Sequence, residues 1–489
     1  MTDGGIEPVS FLDSMTEVDK FTWEIPAHAH PGMRVPGIVF ADRELLEKAD
    51  QDNALQQVVN VASLPGIVKA SLAMPDIHWG YGFPIGGVAA TEVEEGVISP
   101  GGVGYDISCG VRLIKTSLSL KEAQGKLEEL VDALEASIPK GLGAGGKLRL
   151  DRREMEKLLV GGAKELVALG IGWEEDLEAM EENGCYPGAD PAKVSERAYQ
   201  RGSGQAGTLG SGNHFLEIQV VDGVEPGAEK MGIFEDQVVI MVHSGSRGLG
   251  HQVCTDYIEV MGASLAKRGY QLPDRQLVCA PIRSREGADY ISAMACAANF
   301  AMCNREALTH WIRECFQRVF KAGARELGME LLYDVSHNLA KMEEHEVDGR
   351  RLALMVHRKG ATRAFPASRP EVAGRFRETG QPVIIPGDMG SYSFVLVGTE
   401  EALSKSFGST CHGAGRALSR KAARKAVRGE ELRKRLEGRG IMVRAAQMSG
   451  LAEEAPEAYK DVQEIVEICE GAGLSKRAAR MRPLAVLKG

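Results

Sequence analysis

Four short motifs, far apart along the chain, carry side chains that bind metals. Asp106 and Cys109 lie three residues apart in YDISCG, and histidines occur in GSGNHFLEI (His214), VVIMVHSGSRG (His243) and LLYDVSHNLA (His337). A carboxylate, a thiolate and imidazoles together suit manganese, zinc or iron better than magnesium or calcium. Five donors are too many for one tetrahedral ion with an open position. They favour two adjacent ions that share Cys109, an arrangement used in phosphoryl transfer.

Each motif also has an ordinary structural explanation. An isolated Asp-x-x-Cys pair does not by itself indicate a site, and a histidine that opens an apolar run, such as His214, is commonly a hydrogen-bonded core residue. His243 carries more information, because glycines follow it and Arg247 could offer a guanidinium fork to a phosphate. The run PVIIPGDMGSYSFVLVG is either a plain hairpin or a turn, Pro386–Met389, that wraps a ligand.

A sixth candidate, His412, lies in FGSTCHGAGRALSRKAARKAVRG and could be a metal ligand, a general base, a covalent nucleophile or a residue without chemical role. Alanines at helical spacing predict a helix over residues 413–437 that begins at His412. A helix N-terminus attracts anions. Arginines four residues apart would share one face of this helix, which would either bind phosphate or be a solvated cationic surface; these are Arg416, Arg420, Arg424 and Arg428.

The composition is that of a globular protein with unusually many glycines. The chain has 489 residues, of which 44% are hydrophobic, 26% are charged and 58 are glycine. The glycines occur in clusters such as PGGVGYD, which predicts tight turns and close backbone approaches. The net charge of −10 argues against a protein that coats nucleic acid non-specifically, although residues 413–440 form a local basic patch.

We expect a cytoplasmic protein without membrane association. Nine cysteines without a CxxC pair fit a reduced compartment rather than a disulfide framework. No apolar run approaches the ~18 residues of a membrane span. The first residues, MTDGGIEPVS, lack the basic and apolar regions of a signal peptide.

The elements that must position these motifs alternate irregularly along the chain. Apolar runs predict strands at residues 214–221, 238–243, 352–357, 382–385 and 392–397, and helical periodicity predicts helices at 120–137 and 285–327. The spacing is not that of a Rossmann or barrel unit, so we expect an α+β fold: one large mixed domain with strands around a central pocket and peripheral helices. We expect an N-terminal segment at 1–60, the domain at 61–489, and an acidic, solvated helical insert at about 145–200.

Together the motifs resemble those of the RtcB-type RNA-splicing ligases. YDISCG, SGNHFLE, VHSGSRG, SHN, PGDMGSYSFVLVG and CHGAGR carry the resemblance in this order, with MPDIHWGYGFPIGG before them and RPLAVLKG after them. The resemblance runs from about residue 66 to the last residue. It implies a GTP- and Mn²⁺-dependent ligase that joins RNA ending in a 2′,3′-cyclic phosphate or 3′-phosphate to RNA beginning with a 5′-hydroxyl, in tRNA splicing or RNA repair. It leaves open whether an archease-type activator takes part.

The resemblance also implies a role for each motif. Asp106, Cys109 and His214 would hold one Mn²⁺, and Cys109, His243 and His337 would hold the second. His412 would take GMP from GTP. Arginines would hold the RNA backbone, namely Arg247, Arg416 and Arg420.

The guanine nucleotide would contact residues from most of the motifs. The implied set is Asn213, His214, Phe215, Leu216, Glu217, His337, Asn338, Pro386, Gly387, Asp388, Met389, Ser393, His412, Gly413, Ala414, Gly415, Tyr459 and Lys488. Lys488 would read the guanine, although physical reasoning alone would not select it because chain ends usually fray. The side chain of Asp388 is not expected to matter.

Two other interpretations explain part of the pattern. A dinuclear metal-dependent phosphoesterase would use the five metal ligands and would work without GTP, but it would have no use for His412. A non-catalytic RNA-binding protein with structural metals would unfold on Cys109→Ala instead of only losing activity.

Overall fold

The computed structural model describes residues 10–489. These residues contain the following strands: β1 Thr16–Asp19, β2 Thr22–Ile25, β3 Gly37–Phe40, β4 Ile67–His78, β5 Ile85–Glu92, β6 Val97–Ile98, β7 Gly110–Ser119, β8 Phe215–Val224, β9 Gln237–Ser244, β10 Ala280–Pro281, β11 Leu331–Ser336, β12 Asn338–Val347, β13 Arg350–Lys359, β14 Ala361–Arg363, β15 Pro382–Ile385, β16 Ser393–Gly398, β17 Ser409–Cys411, β18 Met442–Ala445 and β19 Ser475–Lys488. The α-helices are α1 Arg43–Gln51, α2 Ala54–Val61, α3 Leu120–Ala123, α4 Leu127–Ser137, α5 Arg152–Gly161, α6 Ala163–Ala168, α7 Glu174–Leu177, α8 Glu196–Gly202, α9 Arg247–Arg268, α10 Arg285–Phe320, α11 Glu400–Ser406, α12 Arg420–Ala426, α13 Gly429–Gly438, α14 Met448–Glu453 and α15 Val462–Gly471.

Two large, mostly antiparallel sheets organise the fold. One has seven strands in the order β1-β2-β3-β4-β5-β13-β12. The other has eight, in the order β11-β7-β9-β8-β19-β16-β15, with β18 paired to β19. Only β3–β4 and β18–β19 pair in parallel among the described strands of these sheets. The expected α+β class is confirmed, as are the strands predicted from apolar runs and the hairpin formed by β15 and β16.

The longest helix, α10, lies in the interior. Its middle, AMACAANFAMC at residues 293–303, is fully buried, and its many small side chains let neighbouring elements approach closely. A helix that is apolar all round is expected to be buried on every side. Apolar clusters flank it, one shared with the eight-stranded sheet and α4, the other with α5, α8 and α9.

The acidic segment near residues 145–200 forms helices, and part of it packs into the domain while many of its charged side chains are exposed. The buried carboxylate of Asp176 accepts two hydrogen bonds from Arg313 of α10, at 2.5 and 2.8 Å. The hydroxyl of Tyr186 donates to the carbonyl of Ala340 in β12 at 2.6 Å. Polar groups that pair inside the protein make this segment part of the packed domain.

The expected boundary near residue 60 stays a prediction, although β1, β2 and β3 belong to the same sheet as β4. Within residues 10–489, no helix is both long enough and apolar enough to cross a membrane.

Candidate active site

Strand pairing brings four of the motifs to one end of the eight-stranded sheet. Cys109 and His214 directly precede β7 and β8, His243 lies near the end of β9, and His337 follows β11. Because an antiparallel strand begins where its neighbour ends, these four residues lie close together. Phe215 lies opposite His243 in the β8–β9 register, and the His337 backbone N–H donates to the Cys109 carbonyl at 2.9 Å.

A tight turn directs Asp106 and Cys109 to the same side. The Cys109 N–H donates to the Asp106 carbonyl at 3.0 Å, and Ser108 between them has φ 55°, an unusual conformation for a residue other than glycine. The Asp106 carboxylate accepts from the Ser246 N–H at 3.0 Å. A Cβ at Gly245 would lie 2.5 Å from that carboxylate, so the glycine in VHSGSRG is needed for the close approach.

The five candidate metal ligands form one continuous cluster. The Cys109 sulfur lies 3.3 Å from His214 Nε2 and 3.2 Å from His243 Nε2. Asp106 Oδ2 extends the cluster on one side, 3.0 Å from His214 Nε2, and His337 Nε2 extends it on the other, 3.3 Å from His243 Nε2. Cys109 is therefore central, where a ligand shared by two ions would lie.

The chemistry of the cluster fits divalent cations. Burial, with the Asp106 carboxylate nearby, raises the pKa of the Cys109 thiol well above its usual range, so a thiolate here needs added positive charge. Burial lowers the pKa values of His243 and His337 well below normal, which keeps both imidazoles neutral. The Nδ1–H of His214 donates to the Leu209 carbonyl at 3.0 Å, which leaves its Nε2 lone pair for the cluster.

His412 lies beside this cluster and is held by a buried carboxylate. Its ring centre is 4.9 Å from that of His337. Oδ2 of Asp76, in β4, lies 2.5 Å from His412 Nδ1 and accepts from the His412 backbone N–H at 3.1 Å. A carboxylate only accepts hydrogen bonds, so Nδ1 carries the ring proton and Nε2 keeps a lone pair. The ring can therefore act as a nucleophile or base at Nε2.

The expectation that His412 begins a helix is wrong. After β17, residues 412–419 form a loop, and α12 begins only at Arg420. Gly415 in this loop has φ 72°, and a Cβ there would lie 2.4 Å from the Asp76 carbonyl oxygen. The loop packs against β4 as only glycine allows, and this contact overrides the helical pattern. His412 is therefore positioned by its hydrogen bonds to Asp76 and not by a helix N-terminus.

The four arginines also fail to share one helix face. Arg416 lies in the loop, where its guanidinium donates to Glu454 at 3.2 Å. Arg428 is the residue that precedes α13. Only Arg420 and Arg424 lie in α12, and both side chains are about half exposed. The single stripe is therefore reduced to two residues.

Arg247 contacts the ligand cluster rather than open solvent. Its guanidinium lies 3.1 Å from the His214 ring and 3.3 Å from the Thr208 hydroxyl. Burial would raise the pKa of Asp106, but the His214 imidazole 3.0 Å away and the charge of Arg247 outweigh it and lower this pKa to about 2. Of the three arginines expected to hold RNA, Arg420 has the most exposed side chain.

The cluster opens into a cavity of about 780 Å³, a volume in the range of small-molecule sites. Most of the residues expected to contact the nucleotide line it: Asn213, Phe215, Glu217, His337, Asn338, Pro386, Gly387, Asp388, Met389, His412, Gly413, Ala414, Gly415, Tyr459 and Lys488. His214, Leu216 and Ser393 do not. Leu216 packs in the core, and the Ser393 hydroxyl accepts from the Gly387 N–H at 3.2 Å. Asp388 accepts from the Gly390 N–H at 2.7 Å, so its side chain does shape the turn.

Lys488 is held firmly in the sheet. It lies in β19, which pairs with β8 on one side and with β18 on the other, so fraying does not apply. Its ammonium nitrogen lies 5.6 Å from the centre of the Phe215 ring. Burial raises the pKa of the nearby Glu217 to about 8, against the opposing charge of Lys488. The pair offers one acceptor and one donor to a ligand.

Several residues in and beside this cavity were not selected from the sequence, and three of them bear on its chemistry. Asp76 and Trp79 lie in MPDIHWGYGFPIGG, a motif used only for the resemblance, and Lys460 lies outside all the motifs. Lys460 donates to the Ile77 carbonyl, and burial lowers its pKa to about 8. The available signal was Asp76 itself, a carboxylate within the apolar run LAMPDI of β4.

The amino-acid sequence is similar to those of known proteins over most of its length. The sequence model of the family described as "tRNA-splicing ligase RtcB" matches residues 57–489. The tRNA-splicing ligase RtcB of Thermococcus kodakarensis is 56% identical over 477 residues, covering 97% of this chain and 99% of that protein. The tRNA-splicing ligase RtcB of Archaeoglobus fulgidus is 52% identical with the same coverage. The RNA-splicing ligase RtcB of Mycobacterium tuberculosis is 52% identical over 438 residues, 88% of this chain and 100% of that protein.

Proposed function

Because the chain belongs to the RtcB family, whose members compared above are named as tRNA- or RNA-splicing ligases, we propose that it is an RNA ligase that uses GTP and Mn²⁺. It joins a 2′,3′-cyclic-phosphate or 3′-phosphate RNA end to a 5′-hydroxyl end. One observation carries the proposal: His412, with its tautomer set by Asp76, shares a cavity with His243 and His337 of the ligand cluster. A phosphoesterase would need the cluster but not this imidazole.

The cluster divides into two candidate ion sites. Asp106, Cys109 and His214 would hold one Mn²⁺, and Cys109, His243 and His337 would hold the other. Bound ions would neutralise phosphate charge and favour in-line displacement at phosphorus. The protein fixes the donor atoms at the end of the eight-stranded sheet, so that little reorganisation is needed.

His412 Nε2 attacks the α-phosphorus of GTP in the first step. A phosphorus–nitrogen bond forms, and the bond to pyrophosphate breaks. Asp76 holds the proton on Nδ1 and stabilises the positive charge that develops on the ring, as the buried aspartate of a catalytic triad does. The product is a phosphoramidate of GMP on His412.

GMP then passes to the RNA. An oxygen of the RNA 3′-phosphate attacks the phosphoramidate, which gives an RNA–ppG end and frees His412. The 5′-hydroxyl of the second RNA attacks that end, its proton is lost to solvent, and GMP leaves. A cyclic phosphate must first be opened by water to a 3′-phosphate.

We assign guanine recognition to Glu217 of β8 and Lys488 at the end of β19. An ionised Glu217 accepts from the N1–H and the 2-amino group of guanine, and Lys488 donates to O6. Adenine offers the opposite pattern at these positions, so this pair would reject it.

We expect guanosine affinity to rise as the pH increases from about 6 to 8 and then to level off. The pKa of Glu217 is raised to about 8, so below that pH the carboxyl is protonated and must lose its proton to accept both bonds. Each pH unit below 8 then weakens binding by up to about tenfold. Calorimetric titration with guanosine in EDTA measures this without bound metal.

Glu217→Gln is the matched control, because it keeps the shape and removes the ionisation. Its affinity should be low and independent of pH. A flat profile for the wild-type protein, or an equal slope in the variant, would remove Glu217 from guanine recognition.

The decisive test of the function is a labelling experiment. The protein is incubated with Mn²⁺ and GTP labelled on the α-phosphate, with ATP labelled in the same way as control. We expect an adduct from GTP alone that survives alkali, is lost in acid and maps to the peptide containing His412. RNA ligation should require GTP. Label on another peptide would exclude His412 as the nucleophile, and hydrolysis of RNA ends without GTP would favour the phosphoesterase.

A further inference from the structure

Trp79 is an exposed aromatic side chain on the wall of the catalytic cavity. It lies in the loop after β4, three residues beyond Asp76, and 45% of its surface is accessible. Other large apolar side chains in the described part of the chain are equally exposed, but only Trp79 among them lines this cavity: Val18, Leu142, Val160, Leu169, Phe234, Val260 and Met342 do not. The exposed Trp79 ring therefore lies at the candidate active site.

No cationic or aromatic side chain of the described residues covers the Trp79 ring. Each of the other three tryptophans carries a cationic group near its ring centre, at 5.5 Å for Trp23, 3.5 Å for Trp173 and 4.8 Å for Trp311. Within residues 10–489, no cationic or aromatic side chain stacks on Trp79 in this way. Its π-face is available to a ligand.

The backbone that carries Trp79 is rigidly held. The Trp79 N–H donates to the carboxylate of Asp52 at 2.6 Å. The fully buried side chain of Gln57 accepts from the Gly80 N–H at 2.9 Å and donates to the Gly80 carbonyl at 2.7 Å. Three hydrogen bonds fix the residue and its neighbour, so the ring is presented at low entropic cost.

Cationic side chains line the same cavity, and Lys48 and Arg420 among them are exposed. Aromatic rings beside cations are the combination that binds single-stranded nucleic acid, because bases stack on the ring while phosphates meet the charges. Glu217 and Lys488, to which guanine is assigned, belong to the eight-stranded sheet, whereas Trp79 follows β4 of the seven-stranded sheet. Asp52 directly follows α1 and Gln57 lies in α2, so these two helices hold the Trp79 loop.

We propose that Trp79 stacks on a nucleobase of a bound RNA end, within two nucleotides of the junction to be joined. The inference rests on the proposed ligase function and adds to it a residue that positions RNA. Every base has a π-face, so the contact holds the end of the strand without selecting its sequence.

The experiment combines a protein change with an RNA change. Binding of 3′-phosphate and 5′-hydroxyl oligonucleotides is measured by fluorescence anisotropy, together with kcat/KM for ligation. Trp79→Ala should weaken both by roughly 5- to 150-fold, the loss of one stacked base. RNA with an abasic nucleotide is tested at each of the two positions on either side of the junction. At one of these positions Trp79→Ala should have no further effect, whereas Trp79→Tyr should behave like the wild type on intact RNA.

Labelling with GTP separates this inference from the proposed function. Trp79→Ala should form the His412 adduct as fast as the wild type, which also shows that the variant folds. Phe234→Ala, a similarly exposed aromatic outside the cavity, should change neither binding nor labelling. Loss of RNA affinity that is equal for intact RNA and every abasic RNA would overturn the stacking contact. A slower adduct with unchanged RNA binding would assign Trp79 to the nucleotide instead. Absence of any adduct in the wild type would count against the proposed function alone, since RNA binding is read separately.

Discussion

Asp76→Asn should slow the formation of the GMP adduct on His412 by about 10³- to 10⁴-fold, the cost of losing a buried carboxylate that sets the tautomer of a catalytic histidine. In the native protein Oδ2 holds both the backbone N–H and Nδ1 of His412, whereas Oδ1 is buried without a hydrogen-bond partner in the described structure. An asparagine must either bury its amino group unpaired or turn it toward Nδ1. The second arrangement moves the ring proton to Nε2, which blocks attack.

Single-turnover labelling with α-labelled GTP measures this rate directly. GTP binding should be nearly unchanged, because Asp76 does not line the cavity. His412→Ala gives the lower limit, with no adduct at all. Asp222→Asn is a suitable control, since this partly buried carboxylate pairs with Arg480 and lies outside the cavity. A rate for Asp76→Asn within tenfold of the wild type would show that the carboxylate does not position His412.

The candidate metal ligands could be predicted from the sequence because their signal is local. Cys109, His214, His243 and His337 each adjoin or end an apolar run, and antiparallel pairing brings such ends together. Their side-chain types favour transition-metal binding. The structure joins them with Asp106 in one cluster. Five donors of this kind rarely have another use.

Asp76 could not be assigned in this way, because its role depends on a contact between distant segments. It lies in β4 of the seven-stranded sheet, and it meets a loop that follows β17. Nothing within the neighbouring residues of either segment indicates the partner. Lys488 is similar: only the pairing of β19 with β8 and β18 shows that it is fixed and buried.

The helix expected over residues 413–437 failed for a physical reason that applies generally. Alanine and arginine favour helix locally, and α12 and α13 do form within this range. The contact of Gly415 with Asp76 requires a backbone that a helix cannot provide. Within the acidic insert, Asp176 is buried against Arg313, although its charge suggested exposure to solvent. In both cases tertiary contacts outweighed local preference.

A buried ion network supports the ligand cluster from inside the domain. Asp334 of β11 accepts from Arg112 at 2.8 Å and from both Nε and Nη2 of Arg305, at 2.8 and 2.7 Å. Arg112 also donates to Glu306 at 2.6 Å, and all four side chains are buried. Burial alone would raise the pKa of Asp334, but Arg305 and Arg112 hold it below its usual value.

Arg305 connects this network to the candidate metal cluster. Its Nη1 donates to the Ser108 carbonyl at 2.8 Å and to the Ser244 carbonyl at 3.1 Å. Ser108 lies directly before Cys109, and Ser244 directly follows His243. The position of Arg305 therefore affects the backbone that carries two of the ligands.

Asp334→Asn is expected to destabilise the protein by about 3–5 kcal/mol, because it leaves two buried guanidinium groups with Glu306 as the remaining carboxylate of the network. The replacement is nearly isosteric, so lost packing contributes little. Urea unfolding followed by tryptophan fluorescence measures the shift of the midpoint. Glu437→Gln removes an exposed ion pair with Arg433 and should change stability by less than about 0.5 kcal/mol. Equal effects of the two substitutions would mean that water reaches the network. A large shift for Asp334→Asn alone, accompanied by weaker Mn²⁺ binding in the folded variant, would show that this network both stabilises the domain and holds the ligand backbone in place.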